Sequence, residues 1–280
     1  MTQRSDAPGY LLAGSDVELE RLQLQARVWE PAAAALLAEI GLARGARALD
    51  LGAGAMGIVR PLSHAVGPAG RVVALDNDAT QLAALRRWVA GEGFGNVEVV
   101  EADAFATGLP SASFDLVHVR FLFAPVGRDA ALLAEMRRLV RPGGVLAIQE
   151  PDSSCWDCYP PSSAFTELKA LIIAAFRAGG GDFDAGRRTA TLLQGIGCAD
   201  VQVRAHAHVL PAGHPYRRLP VQFTQSLRAR ILAAGLATEA RLSDLVAACE
   251  AAVADPATWI TTFLVTQAWG RAPAPGSAAP

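Results

Sequence analysis

Three acidic residues stand close to the ends of predicted strands in the first half of the chain. They are Asp50, Asp76 and Asp103, and a G-x-G-x-x-G run from Gly52 to Gly57 follows the first of them. Glycines between a strand and a helix let a ligand press against the backbone. A carboxylate about 20 residues further on suits the two hydroxyls of a ribose. The pattern predicts a nucleoside site.

Asp50 and Asp103 separate two kinds of nucleoside cofactor. The glycine run and Asp76 also fit a dinucleotide site, although an apolar residue is usual just before those glycines. A carboxylate at position 50 is unfavourable beside a pyrophosphate, but it suits an ammonium group, directly or through water. Asp103 can accept a hydrogen bond from the exocyclic amine of adenine. A Tyr/Lys pair for hydride transfer is not recognisable, since Lys169 is the only lysine. A nicotinamide-dependent oxidoreductase is therefore disfavoured.

Together these segments resemble the class I S-adenosylmethionine-dependent methyltransferases. The likeness is close over residues 10–150, looser beyond, and strongest to small-molecule enzymes of actinobacterial secondary metabolism. It rests on Asp50–Gly57, Asp76, Asp103, Phe114-Asp115 and Arg141–Gly144.

The resemblance implies which residues hold the cofactor, S-adenosylmethionine, with S-adenosylhomocysteine as its product. In that family N-terminal helices lie over the cofactor, so Tyr10, Arg21 and Gln25 become candidate contacts. Ordinary positions on a helix surface are the alternative for them. No metal is expected. The expected cofactor contacts are Tyr10, Gln25, Asp50, Gly52, Ala53, Gly54, Asp76, Asn77, Asp103, Ala104 and Arg120.

Catalytic residues are less well defined. A sulfonium methyl group is already activated, so proximity and orientation can supply much of the rate. Hydroxyl acceptors usually need a general base, whereas acidic phenols, enols and carboxylates can react without one. The candidates are His118, Tyr159 and His214, and a structural role for His118 is favoured over a catalytic one. The segment 120–125 lacks the histidine that many relatives carry there, which predicts a more apolar pocket mouth.

Further residues carry weaker indications. Glu150 and Asp152 either orient the acceptor or cap a loop. The C-x-x-C from Cys155 to Cys158 has no second pair, so zinc or disulfide chemistry is not expected. Aromatic and histidine side chains that could line the pocket or lie on a covered face are Trp156, Tyr216, His206 and His208.

The elements that position these residues alternate strand and helix, which predicts an α/β fold with a parallel sheet covered on both faces. The predicted strands are 46–51, 71–75, 97–101, 114–120, 145–149, 201–209 and 259–269. The predicted helices are 18–37, 58–66, 79–91, 128–140 and 163–177, with two more in 217–254. Pro31 should kink the first helix or start a second, and residues 141–144 should form a turn.

The family implies a Rossmann-like seven-stranded sheet in the order 3-2-1-4-5-7-6, with the last strand antiparallel. A helical segment over residues 1–40 should cover the cofactor, and residues 41–271 should form the methyltransferase domain. Helical substrate-cover insertions are expected at about 151–180 and 211–258. A disordered tail is expected at 272–280.

Composition limits the partner. The chain has 280 residues, 51% hydrophobic and 19% charged, with a net charge of −2 and scattered arginines. A nucleic-acid binder needs a basic stripe, so a small, mostly apolar organic substrate is expected instead. The N-terminus lacks the apolar core of a signal peptide, and no window approaches the roughly 20 apolar residues of a membrane helix. A cytoplasmic protein is expected, with a homodimer left open.

The expected function is methyl transfer to oxygen of a secondary metabolite. Two alternatives keep the cofactor. One is a cyclase or pericyclase in which the sulfonium acts electrostatically without net methyl transfer. The other is a non-catalytic regulator that binds S-adenosylmethionine.

Overall fold

The computed structural model describes residues 16–273. Tyr10 and residues 274–280 of the expected tail therefore lie outside the described part of the chain. Within it, no helix has the length and apolarity needed to cross a membrane.

The described chain alternates strands and helices up to residue 152, as its hydrophobic pattern predicts. The strands are β1 (Arg47–Leu51), β2 (Arg71–Asp76), β3 (Val97–Glu101), β4 (Phe114–Arg120), β5 (Val140–Asp152), β6 (Asp157–Tyr159), β7 (Ala199–His206), β8 (Val209–Leu210), β9 (Trp259–Thr261) and β10 (Leu264–Arg271). The helices are α1 (Asp16–Ile40), α2 (Val59–Val66), α3 (Ala79–Glu92), α4 (Phe123–Val126), α5 (Asp129–Leu139), α6 (Ser163–Ala178), α7 (Thr189–Gly195), α8 (Leu219–Ala233) and α9 (Glu239–Ala254).

Seven strands form one sheet in the order β3-β2-β1-β4-β5-β10-β7. The first five are parallel, and β10 runs antiparallel to both of its neighbours. Central strands such as β4 are buried along almost their whole length, since helices cover both faces. The expected strand order is confirmed.

The two predicted late strands are each divided, so their predicted extents were wrong. Residues 201–209 hold most of β7 and the start of β8, and residues 259–269 hold β9 and most of β10. The pieces β8 and β9 pair with β6 in a separate three-stranded antiparallel sheet. Thr262 marks the break, because its backbone N–H donates to the His208 carbonyl and its hydroxyl accepts from the His208 N–H.

Helices from both expected insertions form a cover over one end of the main sheet. Helix α6 packs against α8 and α9, and α8 also contacts α1. Ser162 caps α6 by accepting from the Phe165 N–H, and Thr238 caps α9 in the same way. Helix α1 continues through Pro31, so a second helix does not begin there.

Strand β5 starts earlier than its sequence indicates. It includes the Arg-Pro-Gly-Gly segment at 141–144, predicted as a turn, and the register with β4 shifts between Phe114 and Leu116. Gly143 has a φ of 71°, which favours glycine. Ala272 exchanges backbone hydrogen bonds with Gly143 and Gly144 and is buried, so this first residue of the expected tail belongs to the fold.

Candidate functional site

A cleft lies at the carboxyl ends of β1, β2 and β4, where open α/β sheets bind ligands. It holds about 1220 Å³ of space between protein atoms, part of it open to solvent, and residues of α1 form one wall. Every predicted cofactor contact within the described chain lines it: Gln25, Asp50, Gly52, Ala53, Gly54, Asp76, Asn77, Asp103, Ala104 and Arg120. The structure therefore gathers these separate sequence positions into one site.

The glycine turn is held by the Asp50 carboxylate. Asp50 is 1% exposed, and its Oδ2 accepts from the Ile58 backbone N–H at 2.8 Å. Gly57 has a φ of 53°, and a Cβ there would stand 2.0 Å from Asp50 Oδ2. Only glycine fits beside this carboxylate. Asp50 lines the cleft but already fixes the turn, so its contact with a ligand ammonium stays a prediction.

Asp76 ties the end of β2 to the same turn. Its Oδ2 accepts from the Gly54 N–H at 2.8 Å, and its Oδ1 accepts from the N–H groups of Asn77 and Asp78 at 2.8 and 3.0 Å. Burial raises the pKa of Asp76, while these backbone donors oppose that rise. A carboxylate has about four lone-pair sites. The group is therefore oriented by the backbone and retains acceptor capacity for ligand hydroxyls.

Asp103 and Asn77 lie on the exposed rim of the cleft. The Asp103 Oδ1 accepts from the Phe105 N–H at 2.9 Å, which fixes the side chain in a turn after β3. This position suits a carboxylate that meets the edge of a bound base.

Arg120 places a buried positive charge against the glycine turn. The side chain is 8% exposed, and its Nη2 donates to the Gly57 carbonyl at 2.6 Å. Its Nη1 is buried and has no hydrogen-bond partner among the described residues. Burial lowers the pKa of Arg120, and the nearby Asp50 carboxylate opposes that shift. An unsatisfied buried donor costs about 1–3 kcal/mol or more, so this nitrogen is suited to an anionic group of a ligand.

A second, smaller cavity adjoins the cleft, and we call it the phenylalanine chamber. It contains about 340 Å³ of space between protein atoms, part of it open to solvent, and it shares Gln25, Phe121 and Pro125 with the cleft. It is formed by residues of the helical cover, by residues at the ends of β4 and β5, and by Phe263, which directly precedes β10. Its lining comprises Arg21, Gln25, Phe121, Ala124, Pro125, Pro151, Phe176, Phe183, Phe223 and Phe263.

Glu150 holds the wall between the two cavities. Its Oε1 accepts from the Leu122 and Phe123 N–H groups at 2.8 and 2.9 Å, and its Oε2 from the Ala124 N–H at 3.1 Å. It thereby caps α4, one of the two roles left open for it. Complete burial raises its pKa to about 7, against these three donors. Just before α4, Phe121 has a φ of 58°, a strained conformation that recurs at ligand sites.

His118, the first predicted base, lies in the core and does not line either cavity. It is fully buried, with Nδ1 2.8 Å from Asp50 Oδ1 and Nε2 2.8 Å from Gln149 Nε2. Gln267 Nε2 donates both to the Ala32 carbonyl and to Gln149 Oε1, at 3.1 and 2.7 Å. Gln149 must therefore donate to His118 Nε2, so the imidazole proton sits on Nδ1 and is donated to Asp50. These contacts fit a structural role for His118, in which the imidazole joins Asp50 to Gln149.

The other two predicted bases are also away from the cavities. Tyr159 is 70% exposed on β6, in the small sheet. The His214 Nδ1 accepts from the Tyr216 N–H at 3.1 Å and caps the turn that leads into α8. Neither side chain lines the cleft or the chamber, so the structure does not bring these two candidate bases to either cavity.

Asp152 and Trp156, which the sequence also singled out, make contacts that stabilise the fold. Asp152 pairs with Arg187 and caps the turn after β5. Trp156 stacks on Phe183 behind the chamber, with ring centroids 5.4 Å apart. The cysteines are free thiols, and the described residues contain no cluster of three or more His, Cys, Asp or Glu side chains that could hold a metal.

Comparison with known sequences points to one family of domains. Residues 48–144 match the family model of the methyltransferase domain. The chain is 38% identical over 111 residues to the ubiquinone/menaquinone biosynthesis C-methyltransferase UbiE of Hahella chejuensis, which covers 39% of this chain and 45% of that protein. It is 32% identical over 115 residues to demethylmenaquinone methyltransferase of Geobacillus kaustophilus, covering 41% and 49%. The chain spans about half the length of these curated relatives.

Solved structures share the fold. An S-adenosylmethionine-dependent methyltransferase from Aquifex aeolicus aligns with 72% of this chain and 94% of its own, at TM-score 0.51 and 23% identity. Phosphoethanolamine N-methyltransferase 2 from Haemonchus contortus, in complex with S-adenosyl-L-methionine, aligns with 85% and 51%, at TM-score 0.51 and 18% identity. The chain therefore has the Rossmann-like methyltransferase fold.

Proposed function

We propose that this protein binds S-adenosylmethionine in the cleft and transfers its methyl group to a small, mostly apolar organic acceptor in the phenylalanine chamber. The observation that carries the proposal is the joining of two unlike cavities. A cleft that carries the carboxylates of Asp50, Asp76 and Asp103 opens beside a cavity lined mainly by phenylalanine rings. The match of residues 48–144 to the methyltransferase domain supports the same reaction class.

The residues present fit this cofactor. Asp76 is oriented to accept from ribose hydroxyls, and Asp103 lies on the rim where an adenine amine would meet it. The Nη1 of Arg120, which has no hydrogen-bond partner among the residues described, suits the carboxylate of the methionine moiety, and Asp50 lies in the same cleft for the ammonium. When bound, the cofactor supplies a methyl group on a positively charged sulfur. The chain contributes binding, orientation and the exclusion of water at the chamber.

For the methylated atom, oxygen of a secondary metabolite is our first candidate and carbon the second. Carbon is favoured by the relatives above, which are named as C-methyltransferases and quinone-pathway enzymes. The likeness to actinobacterial enzymes of secondary metabolism remains a prediction. An acceptor with an ionised phenol or enol would offer both atoms to the same methyl group.

The experiment that tests the proposed activity follows a labelled methyl group. The protein is incubated with methyl-labelled S-adenosylmethionine and an extract of small apolar metabolites. We expect equal amounts of S-adenosylhomocysteine and of labelled organic product. Product formation without label transfer would instead indicate a cyclase, and binding without any product would indicate a regulator. Either result would contradict the proposed methyl transfer.

A further inference from the structure

We infer that the acceptor enters the phenylalanine chamber as a preformed anion, namely a planar phenol or enol whose ionised oxygen accepts a hydrogen bond from Gln25. This inference deepens the proposed function and rests on it. The side chains of the chamber walls, which are far apart in the sequence, determine which chemical class of acceptor can bind.

Within the described part of the chain, the chamber walls offer no group that can remove a proton from an acceptor. Among the described lining residues, the five phenylalanines, two prolines and one alanine have no titratable atom, and the others are Arg21 and Gln25. Arg21 can only donate hydrogen bonds. A weakly acidic aliphatic alcohol bound there would keep its proton and remain a poor nucleophile.

Three groups that could act as bases and that hydrogen-bond to lining residues of the chamber are already engaged. Glu18 is 3% exposed and holds Arg21 through two hydrogen bonds, at 2.8 and 2.6 Å. Glu150 is completely buried and its oxygens accept from three backbone N–H groups of the α4 wall. The Tyr216 hydroxyl accepts from Trp29 Nε1 at 3.1 Å, and burial raises the pKa of Tyr216. None of these groups lines the chamber.

The chamber also disfavours a cationic acceptor. Arg21 is the one charged side chain among the lining residues that the structure describes, and its guanidinium carbon lies 4.5 Å from the centroid of the Phe223 ring. The compensating carboxylate of Glu18 is not part of the lining. An ammonium group in the chamber would lose its hydration and meet only a like charge and apolar rings, which is unfavourable. An anion in the chamber would instead be attracted by the positive charge of Arg21.

Gln25 provides the group that recognises an anion. Arg21 Nη1 lies 2.9 Å from one side-chain atom of Gln25, and because arginine only donates, that atom is Oε1. The same oxygen accepts from the Tyr216 hydroxyl at 3.4 Å. The amide is therefore fixed with Nε2 as its other end, and none of the hydrogen bonds among the described residues uses Nε2. Gln25 lines both cavities, so its two N–H donors stand where the acceptor oxygen would meet the cleft.

With an acceptor that is already ionised, methyl transfer does not require a base from the protein. The acceptor loses its proton to water before it binds. Its oxygen lone pair then forms the bond to the methyl carbon, while the electron pair of the carbon–sulfur bond stays on sulfur. An anion and a cation thereby give two uncharged groups. Attack through a ring carbon gives the keto tautomer, and after release the hydrogen on the methylated carbon passes to water as a proton, which leaves the methylated phenolate or enolate.

The test compares three probes of similar shape: 4-nitrophenol, 4-nitrotoluene and 4-nitrobenzylamine. Each is titrated into the full chain by calorimetry across a range of pH, with S-adenosylhomocysteine present. The affinity for 4-nitrophenol should rise with its ionised fraction and then level off, and the bound probe should show the yellow absorption of the phenolate. Glu150 titrates near the same pH at the α4 wall, so a pH-independent affinity for uncharged 4-nitrotoluene is the internal control. Preferential binding of neutral nitrophenol, or of the cationic amine, would overturn the inference.

Variants test the role of Gln25. Gln25→Leu should weaken phenolate binding about 10- to 100-fold, as expected for lost hydrogen bonds to a charged group, and should affect 4-nitrotoluene binding much less. Gln25→Glu keeps an acceptor for Arg21 but presents a carboxylate, so it should abolish phenolate binding. The matched control, Gln194→Leu on the exposed surface of α7, should bind all probes as the wild type does. Phenolate binding unchanged in Gln25→Glu would contradict the assignment.

The inference and the proposed function fail in different ways. Loss of the proposed function would appear as no calorimetric heat with S-adenosylhomocysteine in the wild type. If that ligand binds but the chamber prefers neutral or cationic probes, the cofactor assignment stands and the anionic acceptor is refuted.

Discussion

Replacing His118 by phenylalanine should destabilise the fold through two orphaned polar groups. Phenylalanine keeps an aromatic ring at this fully buried position but has no polar atom. Asp50 then loses the partner of its Oδ1, and Gln149 loses the acceptor for its Nε2. Each orphaned buried group costs about 1–3 kcal/mol, with the charged one at the upper end or beyond. The combined loss of about 2–6 kcal/mol is a large part of a typical stability of about 5–15 kcal/mol.

The loss is measured by urea unfolding of the wild type and the variant at neutral pH. Because Asp50 also holds the glycine turn, the affinity for S-adenosylhomocysteine should fall together with stability. The matched control is His64→Phe, an exposed position on α2, which should stay within about 0.5 kcal/mol of the wild type. A His118→Phe protein as stable as the wild type would refute the buried network as a stabilising element.

The same variant should change the dependence of stability on pH. Burial lowers the pKa of His118, so the folded protein binds this proton more weakly than the unfolded chain. The contribution of neutral His118 is therefore present above the unfolded pKa of about 6.5 and is lost as the pH falls below it. Wild-type stability should drop more steeply on acidification than that of His118→Phe. Parallel curves would contradict a neutral, buried imidazole.

Three further changes test the site. Gly57→Ala should weaken binding of S-adenosylhomocysteine at least tenfold in calorimetry, because a Cβ would stand 2.0 Å from Asp50 Oδ2; wild-type affinity would contradict the close approach. Arg120→Met should weaken S-adenosylhomocysteine by about 10- to 100-fold but affect adenosine much less, since only the former carries a carboxylate; equal losses would argue against that contact. Burial raises the pKa of Glu150 to about 7, above its unfolded value, so its protonation favours folding and that contribution is lost as the pH rises through 7. The unfolding free energy of Glu150→Gln should not show this decrease as the pH rises. A pH dependence of stability identical to that of the wild type would exclude Glu150 as the cause.

The cofactor cleft was largely predictable because its parts are local in sequence. Each strand, its turn and its carboxylate lie within a few residues of one another, as with β1, Asp50 and the glycine run that ends at Gly57. The parallel order of the strands then brings Asp76 and Asp103 to the same edge of the sheet. Sequence spacing alone did not show that Asp50 is held by His118, since that contact joins residues 68 positions apart.

The chamber was not predictable from the sequence. Its phenylalanines come from five separate segments, so no periodicity connects Phe121 with Phe223 or Phe263. The strand boundaries near residues 208 and 262 depend on the same long-range packing. Alternation continues through the break near residue 208, where the hydrogen bonds between His208 and Thr262 divide the strands. His118 shows the same limit, because its partner Gln149 belongs to a different strand.

The most direct test of the central claim is calorimetric titration of S-adenosylhomocysteine and NADH into the wild type, Asp76→Ala and Asp115→Ala. Asp115 pairs with Arg141 away from the cleft and serves as the matched control. We expect S-adenosylhomocysteine to bind the wild type and Asp115→Ala alike, Asp76→Ala to lose that binding, and NADH to give no saturable heat. Saturation by NADH, or an unaltered affinity in Asp76→Ala, would contradict the assignment of this cleft.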